Sequence, residues 1–439
     1  MKTSTLAIVV VVVIIIIAAG GYFAYTSYYN TTTSTPSTTT PPSTTSTAPV
    51  ITTSSSTTST TSAPLSPVNI GVMEATTGSI SGFSNETIAM ATVAVNQLNA
   101  QGGILGHPVK LFVANEIPSP TAAAQTLVLQ DNVSAIVGVS YTGDAIAIMP
   151  FLSQHHVLGL FTTATGNTLL NNVSTDYANY KYFFRFTLQD STYATYLQQF
   201  FNNVTKPTSV YFVAEDLSFA HETFSAINQT LTSMGINVMG ATFVPLTQTD
   251  FTTLAAQIGS EHPSMVIDAQ TGIGVATFLE QLKANPSAAG IQFLDIGNGA
   301  LSDPYVMGSV ASSHPGVLNG VIFQQFPGTN STPYNSLGAS LISAYQNATH
   351  QTYYSFPSNS FTAIHVLAQS MINANTVSNV SAIIAAMEHI SYEGSAGLVT
   401  FDTNHNWIVP TLWYTQFQNG HLQVIWPPSF ATSTYQPPS

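Results

Sequence analysis

The chain has 439 residues, 44% of them apolar, and carries 6 Lys and Arg against 19 Asp and Glu, a formal charge of −13. That length and apolar content suffice for two domains with cores of their own, while the missing basic footprint excludes nucleic acid as a partner. With no cysteine, disulfide frameworks, thiolate metal sites, cysteine nucleophiles and a lipid-bearing cysteine are excluded together. Only 6% of residues are charged, against roughly 25% in an ordinary soluble domain, so hydroxyl and amide side chains must supply the polar surface. So few basic groups leave little positive charge to repel when carboxylates protonate, which suits an acidic exterior.

From residue 6 to residue 25 no charge interrupts an apolar run, and about 20 such residues are what a bilayer core requires of a helix. A membrane anchor is therefore expected over 1–25, with Ala18-Ala19-Gly20-Gly21 leaving a cleaved signal sequence as the alternative. Positive charge lies only on the amino-terminal side, at Lys2, which places everything after Tyr25 outside the cytoplasm. Residues 26–67 collapse to Ser, Thr and Pro, a composition with almost nothing to bury, and are read as a disordered stalk. Sequons at Asn30, Asn85, Asn132, Asn172, Asn203, Asn228, Asn330, Asn347 and Asn379 fit a glycosylated exterior protein, although about seven would arise by chance at this Ser and Thr content.

From Val68 onward short apolar, β-branched runs predict strands over 68–73, 109–113, 135–139, 157–161, 209–214, 265–268 and 291–294, nearly continuous in the way buried parallel strands are. Between them Ile88, Ala91, Val95 and Leu98 recur at helical spacing over 84–100, and Ala124, Leu127 and Val128 do so over 121–130. Alternating strands and helices imply doubly wound parallel sheets. Roughly 360 residues exceed one core, so two lobes are expected.

Enzyme signatures are missing. Neither H-E-x-x-H, G-x-S-x-G nor a phosphate-binding loop occurs, and Gly272-Ile273-Gly274 lacks the third glycine of a dinucleotide turn. His155 and His156 are adjacent and point to opposite faces, so they do not chelate one ion together; Asp216 is read as a cap for the helix that follows it. The chain is read as a binder without metal or cofactor. In open parallel sheets a ligand sits beyond the carboxyl ends of the strands, against helix N-termini, which selects the loops 74–83, 140–144, 162–167 and 216–219.

Ile70-Gly71-Val72 with Thr77-Gly78, then Val95-Asn96-Gln97-Leu98-Asn99-Ala100-Gln101-Gly102-Gly103-Ile104-Leu105-Gly106-His107-Pro108-Val109, closely resemble the leucine/isoleucine/valine-binding proteins, the extracytoplasmic solute-binding components of ABC importers. Ile136-Val137-Gly138 with the Tyr141-Thr142-Gly143 turn, Ala164-Thr165, Tyr182-Phe183-Phe184-Arg185, the helix over 360–374 and the run from Gly394 to Asp402 follow in order. The resemblance implies an α/β two-lobed, hinged type I periplasmic-binding fold. It places 68–188 and 325–393 in lobe 1, 189–324 and 394–430 in lobe 2, and leaves 431–439 as a flexible tail. It also implies that Thr142 and Thr165, with the turn residues Tyr141 and Gly143, hold a ligand carboxylate, and that Ala164 makes a backbone contact. Phe83 and Phe219 stand where the family often has tyrosine. Asn298 or Gly297 falls where the family commonly places an acid for an amino acid's ammonium, so that charge pairing is lost unless Glu74 or Asp295 reaches the cleft. If neither does, a neutral amide, a carboxylic acid or a polyol becomes the better ligand. The function implied is an extracellular receptor for a small polar solute, tethered by its N-terminal helix and feeding a permease and an ATPase; a sensing or structural cell-surface protein on the same fold is the alternative.

Overall fold

In the computed structural model the described residues are 65–438 apart from 298–300, 302 and 354. The expected anchor over 1–25 and nearly all of the stalk over 26–67 lie outside them; among the described residues no helix is long and apolar enough to cross a membrane.

The first lobe begins with β1 (Val68–Glu74), α1 (Ser81–Ala100), β2 (Val109–Asn115), α2 (Pro120–Gln125), β3 (Ala135–Gly138), α3 (Thr142–Gln154), β4 (Leu158–Phe161), α4 (Tyr177–Tyr180) and β5 (Phe183–Arg185). The sheet order is β2-β1-β3-β4-β5, all parallel. Nearly every side chain of β1, β3 and β4 is buried because helices cover both faces, which is why these strands read as unbroken apolar runs. The helix expected over 121–130 is split. Ser119 accepts from the Ala122 N–H and Pro120 sits in the first turn, starting α2, but the helix widens to a π turn over Thr126–Gln130 that keeps Leu127 and Val128 in the core.

The second lobe comprises α5 (Asp190–Phe200), β6 (Ser209–Glu215), α6 (Ser218–Ser233), β7 (Asn237–Val244), α7 (Thr252–Glu261), β8 (Met265–Asp268), α8 (Gly274–Ala284), β9 (Gln292–Asp295), α9 (Pro304–Ser313) and β10 (Ile322–Gln325). Alternation along β6 sends Val210, Phe212 and Ala214 into one core layer and Tyr211 and Val213 into the opposite one. The chain then returns to the first lobe with α10 (Ser336–Thr349), α11 (Ser358–Asn373), α12 (Val380–Glu388) and the hairpin β11 (Tyr392–Gly394) and β12 (Gly397–Val399). Here α11 packs on α1. Finally β13 (Trp413–Gln418) and β14 (His421–Trp426) join the second sheet antiparallel, giving the order β14-β13-β10-β9-β8-β6-β7.

Two expected boundaries are corrected. Residues 394–412, expected in the second lobe, belong with the first: Ala396, Val399, Trp407, Val409 and Leu412 pack into the first lobe's core, and the crossing comes just before β13. The tail over 431–439 is not loose along its described length. The amides of Gln416 and Gln418 are buried in β13 and require acceptors; Gln416 Nε2 donates to the Gln436 carbonyl at 2.7 Å and Gln418 Nε2 to that of Thr434 at 2.8 Å.

Candidate functional site

The carboxyl ends of β3 and β4 in one lobe and of β6, β8 and β9 in the other deliver their loops to a shared cavity. Ile80, Phe83, Ser140, Tyr141, Thr142, Thr163, Ala164 and Thr165 border it from the first lobe, and Phe219, Thr271 and Gly297 from the second. About 440 Å³ of space not filled by atoms lies between them. The lobes are drawn together over it. Across the gap the Glu222 carboxylate accepts from the Thr168 N–H at 3.1 Å and from the Thr168 hydroxyl at 3.0 Å, and Gly272 faces Ser79.

On the first-lobe side α3 begins at Thr142 behind Tyr141, whose extended backbone serves as N-cap without a side-chain cap. The first amides of a helix have no intrahelical partner and carry the positive end of its dipole. Thr142 Oγ1 accepts from the Gly166 N–H at 3.1 Å, which leaves its hydroxyl proton to donate. Gly166 is required at that turn, since a Cβ there would stand 2.5 Å from Thr142 Cγ2. Beneath the turn lies Arg185, fully buried, donating to the Thr165 carbonyl at 2.7 Å and the Gly166 carbonyl at 2.6 Å. Burial lowers its pKa to about 10 against the opposing pull of Asp190, so it stays charged at neutral pH.

Buried carboxyl groups form the footing of these loops. Ser140 donates from its hydroxyl to Glu74 at 2.7 Å and from its N–H to Glu116 at 3.2 Å. Burial raises Glu74 to about 8, while burial and the neighbouring Glu74 raise Glu116 to about 9. In the second lobe Glu215, Asp268 and Asp295 end three adjacent strands. Glu215 accepts from the N–H groups of Thr271 and Gly272, Asp268 from that of Gln270, and Asp295 from those of Gly297 and Leu301. Burial raises all three, Asp295 to about 7.

Of the residues singled out from sequence, Phe83, Tyr141, Thr142, Ala164, Thr165 and Phe219 border the cavity. Gly143 borders the adjoining groove instead, with Tyr141, Thr142 and Phe219. Glu74 does not reach the cleft: it is wholly buried behind Ser140, and Asp295 is likewise turned into its own loop. Asn298 lies outside the described residues. Asp216 does not cap α6; Leu217 holds that position and Asp216 pairs with His221 at 2.7 Å. Ile80, Ser140 and Thr163 sat in the selected loops without being named. Thr271 is not among the residues the sequence marks, since Gly272-Ile273-Gly274 beside it reads as an incomplete dinucleotide turn; its place just beyond β8 is the signal the sequence carries.

Residues 67–421 match the family model described as periplasmic binding protein. The chain belongs to the periplasmic binding protein family. The periplasmic binding protein fold explains why two sheets present their carboxyl ends to one crevice. Among curated relatives, Leu/Ile/Val-binding protein BraC3 of Rhizobium johnstonii is 24% identical over 336 residues, covering 74% of this chain and 85% of the relative. Leu/Ile/Val-binding protein homolog 3 of Brucella melitensis is 33% identical over 110 residues, 25% of this chain and 30% of that protein's length. In fold the chain is similar to a solute binding protein of an ABC transporter from R. palustris, solved in complex with 4-hydroxybenzoate, with a TM-score of 0.72 at 16% identity, covering 84% of this chain and 98% of that one.

Proposed function

We propose that this periplasmic binding protein is an extracytoplasmic receptor that captures a small polar solute (an amino acid, amide or related carboxylate) between its lobes and delivers it to an ABC importer. One observation carries the reading: hydroxyl-bearing loops and a helix N-terminus from one lobe and Phe219 and Thr271 from the other border a single cavity. The first lobe offers the donors, and closure brings the second lobe's wall over the solute and expels water. A solute shifts the open and closed populations only through its differential affinity for the closed form, and a permease with its ATPase reads that form. Phe83, Tyr141, Thr142, Ala164 and Thr165 are the first-lobe contacts in this reading and Phe219 the second-lobe one, while 1–25 and 26–67 act as tether and stalk. Support comes from the family and from relatives named for leucine, isoleucine and valine or solved with 4-hydroxybenzoate. The test is a thermal-shift screen of the chain against amino acids, amides, organic acids and sugars. A true solute raises the midpoint with concentration; a panel that leaves it unmoved throughout overturns the proposal.

A further inference from the structure

We infer that the solute is a small carboxylic acid with an apolar body and no ammonium group, an assignment that rests on the reading of the cleft as a solute site. The cavity has a positive pole and no negative one. At the positive pole stand the uncapped start of the 13-residue helix α3 and the Thr142 hydroxyl, while Arg185 beneath the Thr165–Gly166 turn holds that turn and faces the buried Asp190. Backbone amides and a helix dipole of this kind favour a carboxylate.

An ammonium needs a carboxylate facing it, and every bordering side chain is uncharged. All 19 acidic residues lie among the described ones, and none of them borders the cavity. Glu74, Glu215, Asp268 and Asp295 accept bonds that hold the cleft loops from behind. Asp144 and Asp303 border neighbouring grooves and not the cavity, and Glu222 is engaged with Thr168. At position 297 a side chain cannot be built, since a Cβ would stand 1.9 Å from the Gln270 carbonyl oxygen. The next three residues, Asn298, Gly299 and Ala300, carry no carboxyl group. Opposite the donors the wall is apolar: Ile80 and Phe83 from one lobe and Phe219 from the other. An α-amino acid bound here would bury a charge without a counter-ion, whereas the same skeleton without the amine loses nothing. The narrow space restricts the ligand to a small body.

The test is calorimetric titration of the full-length protein with two matched pairs differing only in the amine, 4-methylpentanoate against leucine and 3-phenylpropanoate against phenylalanine. The expected result is that at least one acid binds, tenfold or more tightly than its amino acid. An amino acid that binds as well as or better than its partner acid overturns the inference. If neither pair binds while an amide or polyol from the solute screen does, the receptor reading stands and the acid assignment falls. If nothing in that screen binds, the receptor reading itself fails and takes this assignment with it.

Discussion

Thr142 accepts from the Gly166 N–H through its hydroxyl oxygen, and in the proposed receptor its proton is left to donate to the solute. Thr142→Ala removes both and should weaken solute affinity by about 1–2 kcal/mol, roughly 5–30-fold, as measured by calorimetry, and should also lower the unliganded melting midpoint, because the buried Gly166 N–H loses its acceptor. Arg185 is the chain's single arginine, and its role is to hold the Thr165–Gly166 turn and to face Asp190, which burial raises to about 7. Arg185→Met leaves that acid without its counter-charge and takes one of two donors from each carbonyl, which keep only the N–H groups of Asp190 and Leu169. We expect a loss of about 3–5 kcal/mol in chemical denaturation; a change under 1 kcal/mol would show that the turn holds without it. Residues such as Phe83 and Thr142 were legible from their place in a motif after a strand. The inward turn of Glu74 was not, because a loop acid's direction depends on which neighbours, here Ser140 and Ser84, offer it hydrogen bonds.

At the level of elements, the 3₁₀ turn over Asn167–Leu170 and helix α6 meet through Thr168 and Glu222. Neither residue borders the cavity, yet their bond joins the lobes and so favours the closed form. Glu222→Ala should lower solute affinity about fivefold by shifting the closed population, a change of roughly 1 kcal/mol, with no loss of the solute's own contacts. Small-angle scattering should show a larger radius of gyration for the unliganded variant. Equal affinity and equal scattering would remove the latch from the account. Nothing in the local sequence marks this pair, which stands 54 residues apart; the turn and the helix become neighbours only when the two sheets face each other.

Over the whole molecule, Glu74, Glu86, Glu116, Asp190 and Asp295 are raised by burial to about 8, 9, 9, 7 and 7. In the unfolded chain these groups lose their protons near pH 4–4.5. Between that point and about pH 9 the folded state therefore binds more protons than the unfolded one, and stability falls as pH rises. His365 and His405, lowered by burial, work in the opposite sense as pH falls below about 6.5, but they are two against a larger set of acids. The melting midpoint should peak near pH 4.5–5 and drop by on the order of 5 °C or more by pH 8 in circular-dichroism melts. A flat or rising profile over that range would contradict the assignment. Glu116→Gln mimics the protonated acid, so it should raise the midpoint at pH 8 and leave it unchanged at pH 4.5.

The alternation of apolar strands and amphipathic helices determined the two-sheet architecture, because burial on both faces leaves its mark residue by residue along β1, β3, β6 and β8. Low charge and the missing cysteines likewise follow from composition alone. Tertiary structure decided the rest. It sent 394–412 back to the first lobe, laced 432–436 along β14 and β13, and turned Glu74 and Asp295 away from the crevice. Each of these depends on partners distant in sequence, since a buried polar group is placed by whichever donor or acceptor the fold brings within reach.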